Sequence, residues 1–481
     1  MVRSTPGGCG RSLTPGTLRT CERFTLAEGS CIDVATTSGR PAKVTKAIPD
    51  TPIDRWLAPV HRFLQVEASS GIVLMVCATL ALVLANSRAS TWFLSLWHEP
   101  FQIGLGDWVL RKDLLHVIND GLMAIFFFVV GLEIKREIVA GELRDPRQAA
   151  LPIVAALGGM LVPALLFLTL NSLLGLGPDT RRGWAVPMAT DIAFVVGVLA
   201  LFGKRVPLSL KVMLLSVAIV DDLGAVLVIA IVFTDQIASS ALAVAAGGFV
   251  LTFGLNRAGV RSVPVYVAVG AGIWLAVLKS GVHPTIAGVL LGLLTPHRAW
   301  LGHDALREVV GDLPERLRTE QPADAEGLQS ELAWANLAVR ESISPLARLE
   351  HTLHPWVAFL IMPVFALANA GVPIRPASAS DPLAVVIAAG LLIGKPVGIV
   401  AFSFVAIRLR IARLPAGTNW MMTLGGGALA GIGFTMAIFL ATLSLPADKI
   451  EAGKLGILLG SLLSACVGAI LLAASHRARR S

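Results

Sequence analysis

Charge is what this 481-residue chain has little of: 15% of its residues are Asp, Glu, Lys or Arg, while 55% are hydrophobic. An ordinary soluble domain carries roughly 25% charged residues, so most water-soluble folds are excluded. Aromatic residues are also scarce, at 6%, and 46 glycines accompany the aliphatic mass, as in helices packed against one another in lipid. Cysteine is sparse. Cys9, Cys21 and Cys31 sit in a polar N-terminal stretch without metal-ligand spacing, and Cys77 and Cys466 lie inside apolar runs, so no disulfide framework is implied. The formal net charge of +8 would suit nucleic acid only if the basic residues clustered on one soluble face, and they do not.

What the chain does have is long apolar runs. A spanning helix needs about 20 mostly apolar residues, and twelve runs follow one another between Gly71 and Ala474, two of them short. Continuous runs exclude a β-barrel, whose strands alternate over about 10 residues. The expectation is an all-α polytopic membrane protein with about 12 transmembrane helices. Residues 1–55 are polar and rich in Pro, Gly, Ser and Thr, with no signal-peptide core, and are expected to form a disordered cytoplasmic tail. The membrane domain is expected over 56–475, a cytoplasmic insertion with one or two amphipathic helices over 300–347, and a basic tail over 476–481. Trp92 to Asp113 is mixed and broken by glycine, and reads as an interfacial loop or hairpin.

Basic residues set the orientation. With the N-terminus inside, 30 of the 40 Lys and Arg fall on the inner side, nine on the outer side, and Lys395 alone lies within a span. Both termini are therefore expected in the cytoplasm, in a multi-pass protein of a cell membrane.

Against that background, the charges inside spans carry the information. Asp221 and Asp222 interrupt an otherwise apolar helix, where each acid costs roughly 2.5 to 3.5 kcal/mol at the centre. Consecutive residues point about 100° apart, so one structural partner cannot serve both, whereas a cavity between helices can. Lys395 is the obvious counter-charge, either as a fold-holding ion pair or as part of a working site. Asp191 follows Thr190 just after Pro187, which weakens its helix, and a second weak helix holds five glycines between Gly425 and Gly433. Two interrupted segments, one in each half, point to a transporter with an ion site at mid-membrane. Close Gly-mediated packing is the other reading of the second segment.

The motifs Asn119-Asp-Gly-Leu-Met, Gly131-Leu-Glu-Ile-Lys-Arg-Glu, Ala189-Thr-Asp, Val220-Asp-Asp-Leu-Gly, Leu278-Lys-Ser-Gly-Val-His, Arg348-Leu-Glu-His, Gly394-Lys-Pro and Gly431-Ile-Gly-Phe-Thr-Met occur in unbroken order. Jointly they resemble the NhaA-type bacterial Na+/H+ antiporters, over about Pro59 to Ala474. The resemblance implies inverted-topology repeats with two interrupted helices crossing at mid-membrane. It implies exchange of cytoplasmic Na+ or Li+ for external H+, electrogenic and pH-regulated, in the bacterial cytoplasmic membrane, with no enzyme activity and no cofactor. Asp221 and Asp222 would bind the sodium ion and protons, Lys395 would be their partner, and Thr190 and Asp191 would lie at the helix crossing. Asp120 would matter for transport. Glu133 and Glu350, with Arg136 and Glu137, would belong to a cytoplasmic funnel that tunes activity with pH, although Arg136 and Glu137 read equally as a solvated ion-pair cluster. A homodimer through the Trp92 to Asp113 segment is implied as well.

The chain departs from the family pattern in its N-terminal tail, in the 300–347 insertion and at Ala347, where a basic residue is expected. His351 and His354 could approach one metal, yet no further ligands complete a set. Two rivals have distinct signatures. Gly104-Leu-Gly-Asp107 matches the GxGD string of intramembrane aspartyl proteases, but it lies between apolar runs. A proton-coupled carrier of small organic solutes could use the same acids.

Overall fold

The computed structural model describes residues 67–105, 108–234, 237–260, 262–302, 306–307, 311, 325–375, 378 and 380–477. Two units divide the chain at Val60, and the first of them, with the predicted tail, lies outside the described residues. So do Asp107, part of the 300–347 insertion and the last four residues.

The described residues are almost wholly helical. In chain order they form α1 (Glu67–Ala85), the short α2 (Ser90–Leu96), a hairpin of β1 (Pro100–Leu105) and β2 (Trp108–Asp113), α3 (Leu114–Ala140) and α4 (Pro146–Leu173). A tightly wound segment, Asp179–Met188, precedes α5 (Ile192–Phe202); α6 (Leu208–Val232), α7 (Ser239–Arg257), α8 (Val263–Lys279) and α9 (Thr285–Leu294) follow. The remainder is α10 (Ala325–Ser342), α11 (Pro345–Asn369), α12 (Pro382–Arg408), α13 (Trp420–Ala430), α14 (Phe434–Ser444) and α15 (Ile450–Arg477). Among the described residues, eight helical stretches are long and apolar enough to cross a bilayer, and α13 with α14, bent by 48°, pass the same test as a ninth. Three shorter apolar helices, Ser69–Ala85, Val263–Lys279 and Thr285–Leu294, accompany them. The chain is a multi-pass membrane protein.

Helix starts follow local chemistry. Asp145, Ser344, Asp381 and Asn419 each accept a backbone N–H from the first turn of the helix they precede, and proline occupies the first helical position after the first three. The mixed Trp92 to Asp113 segment contains an antiparallel hairpin, with Gln102 opposite Arg111. Within the insertion, α10 buries Ala335 and Ala338, three residues apart on one face.

Close approach of backbones sets the interior. On α9, Gly288 and Gly292 lie against the backbone of Ala124, Phe128 and Gly131 of α3, leaving no room for a side chain. On α12, Gly398 touches the Gly158 carbonyl of α4 in the same way. Lipid offers no hydrophobic drive between helices, so such small-residue contacts supply the van der Waals packing instead. The α4–α12 crossing places Lys395 within the bundle, its Cε 3.8 Å from the point where a Cβ on Gly159 would sit. One turn of α12, Gly390–Gly394, is widened to i→i+5 hydrogen bonding just before Lys395, as are Val117–Leu122 in α3 and Val357–Ile361 in α11. Such widened turns often mark functional positions.

Candidate functional site

Two helix breaks build the centre. The first, residues 189–191, separates the Asp179–Met188 segment from α5, and the second, residues 431–433, separates α13 from α14. Broken helices leave N–H and C=O groups without partners, which is costly away from water. Here each break satisfies the other. The Asp191 N–H donates to the Ile432 carbonyl at 2.7 Å, and the Thr190 hydroxyl lies 3.1 Å from the Ala430 carbonyl. Asp191 caps two helices at once. Its Oδ1 accepts the Phe194 N–H at 3.3 Å in α5, and its Oδ2 accepts both the N–H of Thr435, at 3.1 Å, and the Thr435 hydroxyl in α14. The positive ends of two helices thus converge on one buried carboxylate.

The two adjacent acids of α6 sit beside this crossing, and both are buried. Lys395 Nζ donates to Asp221 Oδ2 at 2.8 Å, and neither side chain is exposed. The Thr190 hydroxyl also lies 2.8 Å from Asp221 Oδ2, so its single proton is divided between that oxygen and the Ala430 carbonyl. Lys395 donates to the Met188 carbonyl as well, an acceptor that the break after Met188 leaves available. A buried ion pair repays desolvation only when further hydrogen bonds complete it, and Met188 and Thr190 supply them.

The pairing is asymmetric. Lys395 contacts Asp221, and no hydrogen bond or ion pair reaches Asp222 among the described residues. Asp222 instead lies in the field of Asp221, Glu133, Asp191 and Lys395. Asp221 Oδ1 is also buried without a hydrogen-bond partner. Three carboxylate oxygens, Asp221 Oδ1 and the two of Asp222, are thus left to take a proton or a hard cation, which prefers carboxylate and carbonyl oxygen.

The other predicted residues lie elsewhere. Asp120 is in the widened turn of α3, its carbonyl accepting the Trp274 Nε1–H at 3.2 Å, and no hydrogen bond or ion pair joins its side chain to the carboxylate centre among the described residues. At the C-terminal end of α3, the exposed Arg136 pairs with Glu350 of α11 and lies 3.8 Å from Glu137, while Glu137 accepts the Glu142 N–H at 3.0 Å. Glu133 is half-buried one turn earlier on α3. The sequence assigns no role to Thr435, although it lies within Gly431-Ile-Gly-Phe-Thr-Met, or to the carbonyls of Met188, Ala430 and Ile432. Thr435 stands two residues after the glycine run, and that adjacency is the signal that could have found it.

The start of α12, the helix that carries Lys395, is pinned outside the spans. Asp381 caps it through the Leu383 N–H and accepts Lys449 Nζ at 2.8 Å. Burial alone would raise the Asp381 carboxyl, but the Lys449 hydrogen bond, the Leu383 N–H and the Lys449 charge outweigh it and hold it below its ordinary value. Hydrogen bonding and attraction to Asp381 hold the Lys449 ammonium above its own.

A polytopic helical bundle with unpaired buried carboxylate oxygens at the meeting of two helix breaks has the build of an ion-handling membrane protein. Residues 61–472 match the family model described as Na+/H+ antiporter 1. The chain is 50% identical over 425 residues to a protein of Rhodopirellula baltica named Na(+)/H(+) antiporter NhaA, covering 88% of this chain and 96% of that one. It is 47% identical over 425 residues to the Rhizobium meliloti protein of the same name, covering 88% and 95%. With Na(+)/H(+) antiporter NhaA 2 of Myxococcus xanthus the identity is 50% over 419 residues, covering 86% and 88%. The chain belongs to the NhaA-type Na+/H+ antiporter family.

Proposed function

We propose that this protein is a secondary active antiporter that exports cytoplasmic Na+ or Li+ in exchange for external protons. The observation that carries the reading is the unpaired Asp222 beside the Lys395–Asp221 pair at the crossing of two helix breaks. In the cation-free state Asp222 holds a proton and the Lys395 ammonium neutralises Asp221. Entering Na+ takes oxygens of Asp222 and Asp221 as ligands, with Thr190 and Asp191 holding the crossing in shape. Asp222 then releases its proton, and Lys395, having lost Asp221 to the cation, releases another. Two protons leave for one sodium ion, so the exchange is electrogenic and driven by the membrane potential. A rigid-body rearrangement exposes the site outward, where external protons displace the ion.

The bundle is read as 12 spans in two inverted-topology repeats, counting the eight long stretches, the bent pair and the three shorter apolar helices. Both termini lie in the cytoplasm of a bacterial cell, a placement that the basic-residue bias supports. Asp120 assists transport from α3. Glu133, Glu350, Arg136 and Glu137 tune activity with pH at the inner end, and two copies associate through the β1–β2 hairpin. The protein acts as a transporter without enzyme activity or cofactor.

The test is a proton-gradient assay in everted vesicles holding the full chain, with Na+, Li+ and K+ added in turn at several pH values. Collapse of the gradient by Na+ and Li+ is the expected result. Silence with all three ions would overturn the reading, and proton-coupled uptake of a labelled organic solute would replace it with a solute carrier.

A further inference from the structure

The broken pair α13 and α14 rests on α15, through residues the exchange chemistry does not use. Close packing seats α13 there: Leu471 and Leu472 fill the space where a side chain on Gly425 would stand, and Leu429 lies against Gly468. Its start is tied down as well, since Ser475 donates at 3.2 Å to Asn419 Oδ1, the atom that caps the Met422 N–H. The start of α14 is held differently. Its N-cap residue, Gly433, has no side chain with which to serve the first N–H groups of the helix, so other helices supply the acceptors. Ser461 Oγ of α15 accepts the Phe434 N–H at 3.1 Å, and Asp191 accepts the Thr435 N–H at 3.1 Å together with the Thr435 hydroxyl.

Two consecutive amides at the start of α14 are thus gripped by two different partners, and Ser461, Phe434 and Thr435 are all buried. The Phe434 ring meets the Phe194 ring edge-on, with centroids 4.8 Å apart, and the Phe194 N–H is the other amide that Asp191 caps. Ser461 on one side and Asp191 with Phe194 on the other therefore fix how the first turn of α14 is rotated. From there the connection to the ion site is short. Asp191 follows Thr190, whose hydroxyl lies 2.8 Å from Asp221 Oδ2. Without the Ser461 hydroxyl the Phe434 N–H would be buried with no acceptor, a costly state. Turning that N–H toward another oxygen relieves the cost, and Thr435, the next residue, turns with it.

We infer, on the antiport reading, that Ser461 is a positioning residue for cation binding. It supplies the acceptor that α14 lacks, and so fixes where Thr435 meets Asp191 and, through Asp191, where Thr190 presents its hydroxyl to Asp221. In this role α15 is a fixed support for the crossing, joined to α13 by packing and to α14 by one hydrogen bond. Ser464 provides an internal contrast. It lies three residues beyond Ser461 on the same face of α15 and is also buried, but its hydroxyl has no hydrogen-bond partner among the described residues, so it has no bond to the break to lose.

The experiment measures Na+-driven proton movement in everted vesicles for the wild-type chain, Ser461→Ala, Ser464→Ala, Thr435→Val and the double variant Ser461→Ala with Thr435→Val, and thermal midpoints of the same purified proteins. Ser461→Ala should raise the half-saturating Na+ by about fivefold, the worth of one hydrogen bond, with the maximal rate within about twofold of wild type. Thr435→Val should raise it by a similar factor. The double variant should stay near the larger single effect and fall short of their product, because both residues act through Asp191. Ser464→Ala should keep the wild-type half-saturation. A Ser461→Ala protein that melts earlier but binds Na+ as wild type does would reduce Ser461 to packing and overturn the inference. Effects of Ser461→Ala and Thr435→Val that multiply, or an equal shift in Ser464→Ala, would overturn it too. Absence of Na+-driven proton movement in the wild type would end the antiport reading and this inference with it, whereas an active wild type with an unshifted Ser461→Ala would end the inference alone.

Discussion

The Lys395–Asp221 and Arg136–Glu350 ion pairs join the same two kinds of charge, a cation and a carboxylate, in opposite surroundings. The first has both side chains fully buried; in the second the Arg136 side chain is 43% exposed and that of Glu350 12%. In a dry interior the balance of desolvation and attraction is large on both sides, so every change of charge at Asp221 is felt by Lys395. Near water, solvent screening reduces the same pair to a modest contribution. The contrast separates a centre able to couple one ion to another from a peripheral cluster suited to adjusting it.

The sharpest way to break the comparison is Asp222→Asn, which removes the unpaired carboxylate without touching the Lys395–Asp221 contact. Na+-driven proton movement should fall to that of vesicles lacking the protein, and retention of wild-type exchange would show that the buried centre is not where coupling occurs. Next in size is Lys395→Ala. It leaves Asp221 as an uncompensated buried charge and should cost about 3–5 kcal/mol of stability, seen as a lowered thermal midpoint in detergent. Adding Asp221→Asn should recover part of that loss, because the two residues form one unit.

At the peripheral cluster Arg136→Ala should cost about 1 kcal/mol or less. Its maximal exchange rate should stay near wild type while the pH at which that rate is reached moves; an unmoved pH profile would reduce the cluster to a solvated ion pair. The smallest effect belongs to Lys449→Met, which frees the Asp381 cap. Asp381 is held low, so its contribution is present above the ordinary carboxylate value near 3.9 and is lost as acid protonates it. Lys449 is held high, so its contribution is present below the ordinary lysine value near 10.4 and is lost as base removes its proton. The thermal midpoint of Lys449→Met should therefore drop by the equivalent of about 1 kcal/mol or less between those limits and converge with wild type outside them.

Much of this arrangement was legible beforehand because lipid is an unforgiving solvent. Asp221, Asp222 and Lys395 stand out in apolar runs since a charge there must have a use or a partner. The break after Pro187 and the one near Gly425 to Gly433 were readable because proline removes a backbone donor and glycine lowers helix propensity. The choice of partner was not readable. Lys395 could have met either aspartate, and only the packing of α12 against α4 aims it at Asp221, with the Met188 carbonyl as a second acceptor. Thr435 escaped notice because a threonine in an apolar helix usually bonds its own backbone, whereas here the crossing brings Asp191 within its reach.

The sequence by itself determined that this is a helical membrane protein, which charges its spans carry and where two helices weaken, since each of these follows from local composition and the cost of polarity in lipid. The tertiary structure decided which oxygens remain unpaired, because that depends on residues as far apart as Thr190 and Ala430, or Phe434 and Ser461, meeting across a crossing. Hydrogen-bond partners are a matter of a few tenths of an ångström, and no run of residue types specifies distances that finely.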